Sequence, residues 1–171
     1  ADKLDRLPPS YMADPDTGAL AVHDDPGDSR WGRPPAFPSG SGGLVSTVDD
    51  YLAFCRMMPN KGRHGRARIL SRPSVELMTT DQLTPEQQAG ARAFLGDNSG
   101  WGFGVAVTTR RDDLAAVPGR FGWDGGVGTS GYSDPAEDMV GILMTQCLLE
   151  SPDSLNVFRD FWTLAYQAID D

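Results

Sequence analysis

Hydrophobic residues recur along this chain with two periods. After Thr47 they follow a helical one: Tyr51, Leu52, Phe54, Cys55 and Met58 fall three or four apart, which predicts a helix over residues 48–58. Thr47 suits its N-cap, and Asp49 and Asp50 place negative charge in the first turn, where the helix dipole favours it. Pro59-Asn60-Lys61-Gly62 stops it. A second helix fits Pro73 to Thr80, with Ser71 or Arg72 at its cap and Val75, Leu77 and Met78 as its apolar residues. Thr84-Pro85-Glu86-Gln87 has the form of a capping box with proline at the first helical position.

From Gly100 the period falls to two. Trp101, Phe103, Val105 and Val107 alternate with Gly102, Gly104, Ala106 and Thr108, which predicts one strand with an apolar face. Three more strands are expected at Arg120–Trp123, Thr129–Ser133 and Met139–Leu148, the last two joined by the turn-rich Ser133–Asp138. The chain closes on a helix in which Leu155, Phe158, Trp162, Ala165 and Ile169 share a side, with Ser151 as the expected cap and Pro152 first. The fold class that follows is α+β, an antiparallel sheet packed by a C-terminal helix together with short helices. Residues 1–46 form a loop-rich meander, 47–99 a helical segment and 100–171 the sheet and last helix, all within one portion of a larger domain. Paired turn residues such as Pro8-Pro9, Asp14-Pro15 and Pro34-Pro35 punctuate the meander, and a short hairpin is expected around Asp16-Thr17-Gly18.

Composition narrows the partners. The 171 residues carry a formal net charge of -9, which speaks against nucleic acid, where Lys and Arg must neutralise phosphates. The longest apolar run, Met139 to Leu149, is broken by Gly141, Thr145 and Gln146 and falls short of the ~20 residues needed to cross a bilayer, so no membrane partner is expected. The chain opens Ala1-Asp2-Lys3 without an initiator Met or a signal-like segment and reads like the middle of a longer protein. Any targeting signal is expected upstream; on this stretch alone the cytoplasm is slightly favoured. Cys55 and Cys147 read as buried free thiols, with a disulfide left open.

Most catalytic templates fail. A Ser-x-x-Lys nucleophile needs a lysine three residues after a serine, and only Lys3 and Lys61 exist, with Met58 three before the latter. The residues two after Tyr11, Tyr51, Tyr132 and Tyr166 are Ala13, Ala53, Asp134 and Ala168, so Tyr-x-Asn is absent too. His23 and His64 have no second histidine at metal spacing and read as surface turns; no metal and no cofactor is expected. The unusual segment is Phe121–Ser133, with glycines at 122, 125, 126, 128 and 131. It suits an ordinary glycine-rich hairpin, or a strand edge where backbone N–H groups meet a ligand as half of an oxyanion hole.

Four stretches, in order, resemble the serine β-lactamase-like family, which includes class C β-lactamases, D-alanyl-D-alanine carboxypeptidases and related esterases. They are Ser39–Phe54, Arg68–Met78, Gly100–Val105 and Phe121–Gly126. The last resembles the family's third motif, usually Lys-Thr-Gly or His-Thr-Gly. The resemblance implies a C-terminal portion of that fold, with Ser-x-x-Lys and Tyr-x-Asn in an N-terminal part that this chain lacks. It places Trp123, Asp124 and Gly125 at the third-motif positions as substrate-binding residues, and gives the Gly126 N–H an oxyanion role opposite the nucleophile's own N–H. The implied substrate is a small-molecule ester, amide or β-lactam turned over by the parent serine hydrolase, this chain being inactive alone. Trp123 in place of a cation or imidazole leans the reading toward an esterase. The implied partner is the missing N-terminal part, or a second copy. The alternative is a non-catalytic module that kept the sheet to bind a protein.

Overall fold

The computed structural model describes residues 3–149 and 155–170. Its centre is a five-stranded antiparallel sheet in which β5 (Ser99–Trp101), β6 (Ala106–Thr108), β7 (Phe121–Gly125), β8 (Thr129–Asp134) and β9 (Met139–Met144) lie side by side in chain order. The α+β class read from the sequence is the class observed.

The two faces of the sheet carry different helices, and strand alternation decides which residues meet which. On one face lies α1 (Val48–Met57), and its Tyr51 fits only because Gly131 has no side chain; a Cβ there would meet Tyr51 Cε1 at 2.5 Å. Ser133, two residues on, donates from Oγ to the Cys55 carbonyl at 3.0 Å. Met57, Met58, Val75, Val107 and Phe121 form the core here, completed by α2 (Arg72–Met78). The opposite face receives α4 (Asn156–Gln167), whose Trp162 occupies the space left by Gly141. Phe158, Trp162 and Tyr166 are its buried stripe, packed with Ala115, Val117 and Tyr132. Burying each of these rings contributes roughly 1.5–3 kcal/mol.

Thr47 caps α1, accepting from the Asp50 N–H at 3.2 Å, and Ser71 caps α2, accepting from Ser74 N–H at 3.1 Å. The capping box at Thr84 and Gln87 is formed and starts α3 (Pro85–Leu95). Near the start of the chain β1 (Ser10–Ala13) and β2 (Leu20–Asp24) make the expected hairpin, turning on Asp14, whose Oδ1 accepts from the Thr17 N–H at 2.8 Å. It is tied to the sheet's end where Tyr11 N–H donates to the Gln146 carbonyl at 2.7 Å. A second small hairpin joins β3 (Arg63–His64) and β4 (Ala67–Arg68). His23 thus lies in a strand rather than a turn, exposed, as is His64.

Two strand expectations are also corrected. The stretch 101–107 is not one strand: β5 and β6 pair with each other, Trp101 opposite Ala106 and Ser99 opposite Thr108. The glycines that looked like a polar face close a turn instead. Gly104 sits at φ +88, the Gly102 N–H bonds to the Val105 carbonyl at 2.9 Å, and a Cβ on Gly102 would strike the Met78 carbonyl. The strand expected over Met139–Leu148 ends at Met144, where the Thr145 hydroxyl turns to the Gly128 carbonyl at 2.8 Å. The expected cap at Ser151 and Pro152 lies outside the described residues.

Candidate active site

Strand β7 is sheltered on both sides only at its beginning. Phe121 and Gly122 pair with β6, but Trp123, Asp124 and Gly125 pair with β8 alone. The β6 partner is used up because the β5–β6 hairpin turns at Gly102–Gly104. Beyond Gly122 the strand therefore presents one open backbone edge, the geometry in which an extended ligand or a reacting carbonyl can meet main-chain donors.

The residues singled out from the sequence divide over this edge. Trp123 faces the α1 side, opposite Gly131, and packs edge-on to Trp101 at 4.7 Å between ring centroids and tilted to Phe94 at 5.2 Å. Phe94 is 72% exposed at the end of α3, and Phe103 stands half exposed on the neighbouring turn, so the aromatic group forms an open wall. Asp124 turns to the α4 side, where the Tyr132 hydroxyl donates to its Oδ2 at 3.2 Å. Gly125 accepts from the Gly128 N–H at 3.0 Å to close the β7–β8 turn. A Cβ on Gly125 would meet Thr129 Oγ1 at 2.5 Å, so a side chain there would have to displace that hydroxyl. Gly126 is exposed, nothing lies within 4 Å of where its Cβ would be, and among the described residues no group accepts from its N–H.

Two residues near this wall carried no signal in the sequence. Asp81 Oδ1 accepts from the Trp101 N–H at 3.0 Å and from Leu83 N–H at 3.1 Å, pinning β5 from the loop before α3; a Cβ on Gly100 would collide with its carboxylate. Tyr51 lies under Gly131, the residue directly across from Trp123, and stacks on Phe54. Burial raises the Tyr51 phenol to about 12, with Cys55 beside it adding to the rise, and burial raises the Cys55 thiol to about 11. Both are neutral near pH 7, so neither supplies a nucleophile or a general base there. Both cysteines are free thiols, Cys55 buried and Cys147 partly so. Among the described residues no three His, Cys, Asp or Glu side chains converge on a metal-sized site.

A family model described as Beta-lactamase matches residues 7–159. The chain belongs to the beta-lactamase family. Two curated relatives from Mycobacterium tuberculosis, "Uncharacterized protein MT1414" (strain CDC 1551 / Oshkosh) and "Protein Rv1367c" (strain H37Rv), are each 39% identical over 122 residues, covering 66% of this chain and 30% of theirs. Among solved structures, unliganded simvastatin synthase (LovD) from Aspergillus terreus superposes with a TM-score of 0.77 at 16% identity, covering 99% of this chain and 44% of that one. EstCE1, described as a hydrolase with promiscuous acyltransferase activity, superposes with a TM-score of 0.64 at 19% identity, over 97% of this chain and 45% of that one. At these identities the structural likeness establishes the fold. The chain spans under a third of the length of the curated relatives and under half that of the solved ones. Its elements are those of the C-terminal part of a beta-lactamase-like fold.

Proposed function

We propose that this chain is the C-terminal portion of a serine hydrolase that forms an acyl-enzyme on an uncharged ester, and that it supplies the oxyanion strand and one pocket wall while lacking the nucleophile. The observation that carries the reading is the open edge of β7 and, just beyond it, the exposed Gly126, whose N–H has no acceptor among the described residues. A donor so placed suits the oxygen of a tetrahedral intermediate, and such donors are each worth roughly 10²–10³ in rate. The nucleophilic serine and its base belong to the remainder of the protein: attack on the ester carbonyl forms the acyl-serine and releases the alcohol, and water then releases the acid. Trp123 offers an indole in place of a cation, and the surrounding Trp101 and Phe94 are apolar, so a neutral acyl group is favoured over a substrate carboxylate. Asp124 faces the other side of the sheet and acts on the strand's frame.

The test is intact mass of the full-length protein after incubation with a neutral aryl ester and with benzylpenicillin. A mass increase equal to the acyl group from the ester, with little or none from the penicillin, is the expected result; no adduct from either sinks the reading. The absence of Ser-x-x-Lys from all 171 residues favours a second reading, a non-catalytic module bound to a protein partner, and a parent gene without an upstream Ser-x-x-Lys would decide for it.

A further inference from the structure

Trp123, Asp124 and Gly125 are paired on one side only; the turn beyond them is tied by the Leu149 N–H to the Gly126 carbonyl and the Thr145 N–H to the Gly128 carbonyl, each at 2.9 Å, so the strand residues themselves depend on β8 and on side chains. Glycines lose the most conformational freedom on ordering, and such an end frays unless side chains hold it. On the α1 face Trp123 packs against Trp101 and Phe94; on the α4 face the side chains that hold the strand converge on one residue. We propose that Arg120 is the positioning residue for the Trp123–Gly126 edge, acting through Tyr132 and Asp124 from the face opposite the aromatic wall.

Arg120 immediately precedes β7 and is 8% exposed. Its guanidinium carbon stands 3.8 Å from the ring centre of Tyr132, 4.1 Å from Trp162 and 5.9 Å from Tyr166. Each of these rings ends in a donor that grips β8 or β7: Tyr132 to Asp124 at 3.2 Å, Trp162 Nε1 to Ser130 Oγ at 2.9 Å, and Tyr166 to Asp134 at 2.6 Å. The cation is thus the hub around which α4 is registered against the strand pair. Among the described residues no carboxylate comes within ion-pair distance of it, and its Nε and Nη2 have no partner, nor has Asp124 Oδ1. A residue kept only for stability would satisfy those groups or be apolar. Held as it is, the positive charge over the face of Tyr132 draws electron density from the phenol and strengthens its O–H as a donor to Asp124, the side chain two residues before Gly126. Burial lowers the affinity of Arg120 for its proton, against the neighbouring phenols and carboxylates that raise it.

The catalytic consequence rests on the reading of Gly126 as an oxyanion donor; the placement of the edge does not. Hydrogen exchange of peptides spanning residues 121–131 is therefore measured first, in the 171-residue chain, for R120M, R120K and Y132F. R120M and Y132F are expected to speed exchange there about tenfold while α1 is unchanged, and R120K to fall between, since it keeps the charge without the planar group that stacks on rings. Acceleration spread evenly over the chain, or none at 121–131, overturns the proposal; Y132F, which removes one hydroxyl, decides if R120M does not fold. In the full-length protein the same variants are expected to lower kcat for a neutral aryl ester about tenfold with KM nearly constant, as a donor displaced only from the transition state requires. If the unmodified full-length protein forms no acyl-enzyme, the proposed function fails while the exchange result still decides the role of Arg120.

Discussion

Single side chains, or their absence, set the spacing of the layers. Gly141 gives up its Cβ space to Trp162, and Trp162 in turn bonds to Ser130. Gly141→Ala drives the indole outward and is expected to cost about 1–3 kcal/mol, read as a lowered Tm. An unchanged Tm would show that the helix can shift without cost. Tyr51 and Cys55 make a prediction with a definite sign. Their folded values lie above the ordinary 10.0 and 9.0, so the neutral forms are favoured by folding. The stability they add is complete below about pH 9 and is lost as pH climbs through 11 and 12. Urea midpoints taken from pH 8 to 11 are expected to fall on this alkaline side, and to fall less in Cys55→Ala. Cys55 is also expected to resist alkylation at pH 8 in the folded chain and react freely once unfolded, because its thiolate is suppressed and its sulfur is covered.

At the level of elements, short helices depend on their caps. α3 has no buried residue, yet it carries Phe94 to the Trp123 ring. Its start rests on the reciprocal bonds of Thr84 and Gln87, at 3.3 and 2.9 Å. Thr84→Ala removes one of them, with an expected cost of ~1 kcal/mol, seen as faster exchange over residues 86–92 and a blunted near-ultraviolet signal from Trp101 and Trp123. A change in neither would mean that packing of Phe94, not the cap, anchors the helix. These caps were legible because a Ser or Thr followed three residues later by a suitable partner is a local signal. The β5–β6 hairpin was not, since Gly100, Gly102 and Gly104 occupy the polar places of a period-two pattern just as well as they make a turn. What settles it is Met78, whose carbonyl lies where a side chain of residue 102 would go, and Asp81, which holds Trp101 from outside the strand.

On the scale of the whole molecule, the exposed area is 11374 Å², against about 8,200 Å² for a compact monomer of this mass. Leu44, Phe37, Phe94, Leu20 and Leu164 are each at least 65% exposed. Among the described residues β9 (Met139–Met144), an apolar strand, has a partner strand on one side only. The isolated chain is accordingly expected to bind a hydrophobic dye and to self-associate in sedimentation, and both effects to vanish in the full-length protein. A dye-silent monomer would mean that these surfaces are tolerated in water and need no further chain.

The local code settled the caps and the first turn: Thr47, Ser71, Thr84 and the turn at Asp14 are each decided by residues within a few positions of one another, where side-chain and main-chain groups compete directly. It also settled that no Ser-x-x-Lys lies in this chain, since that motif is a matter of order alone. Tertiary structure decided everything that depends on which face a residue takes. Trp123 and Asp124 are adjacent in sequence, yet strand geometry sends one to the aromatic wall and the other to Tyr132. Nothing next to Arg120 in the sequence shows its surroundings: α4, more than thirty residues on, closes Trp162 and Tyr166 over it. The open edge of β7 arises in the same way, because it depends on where a neighbouring hairpin happens to turn.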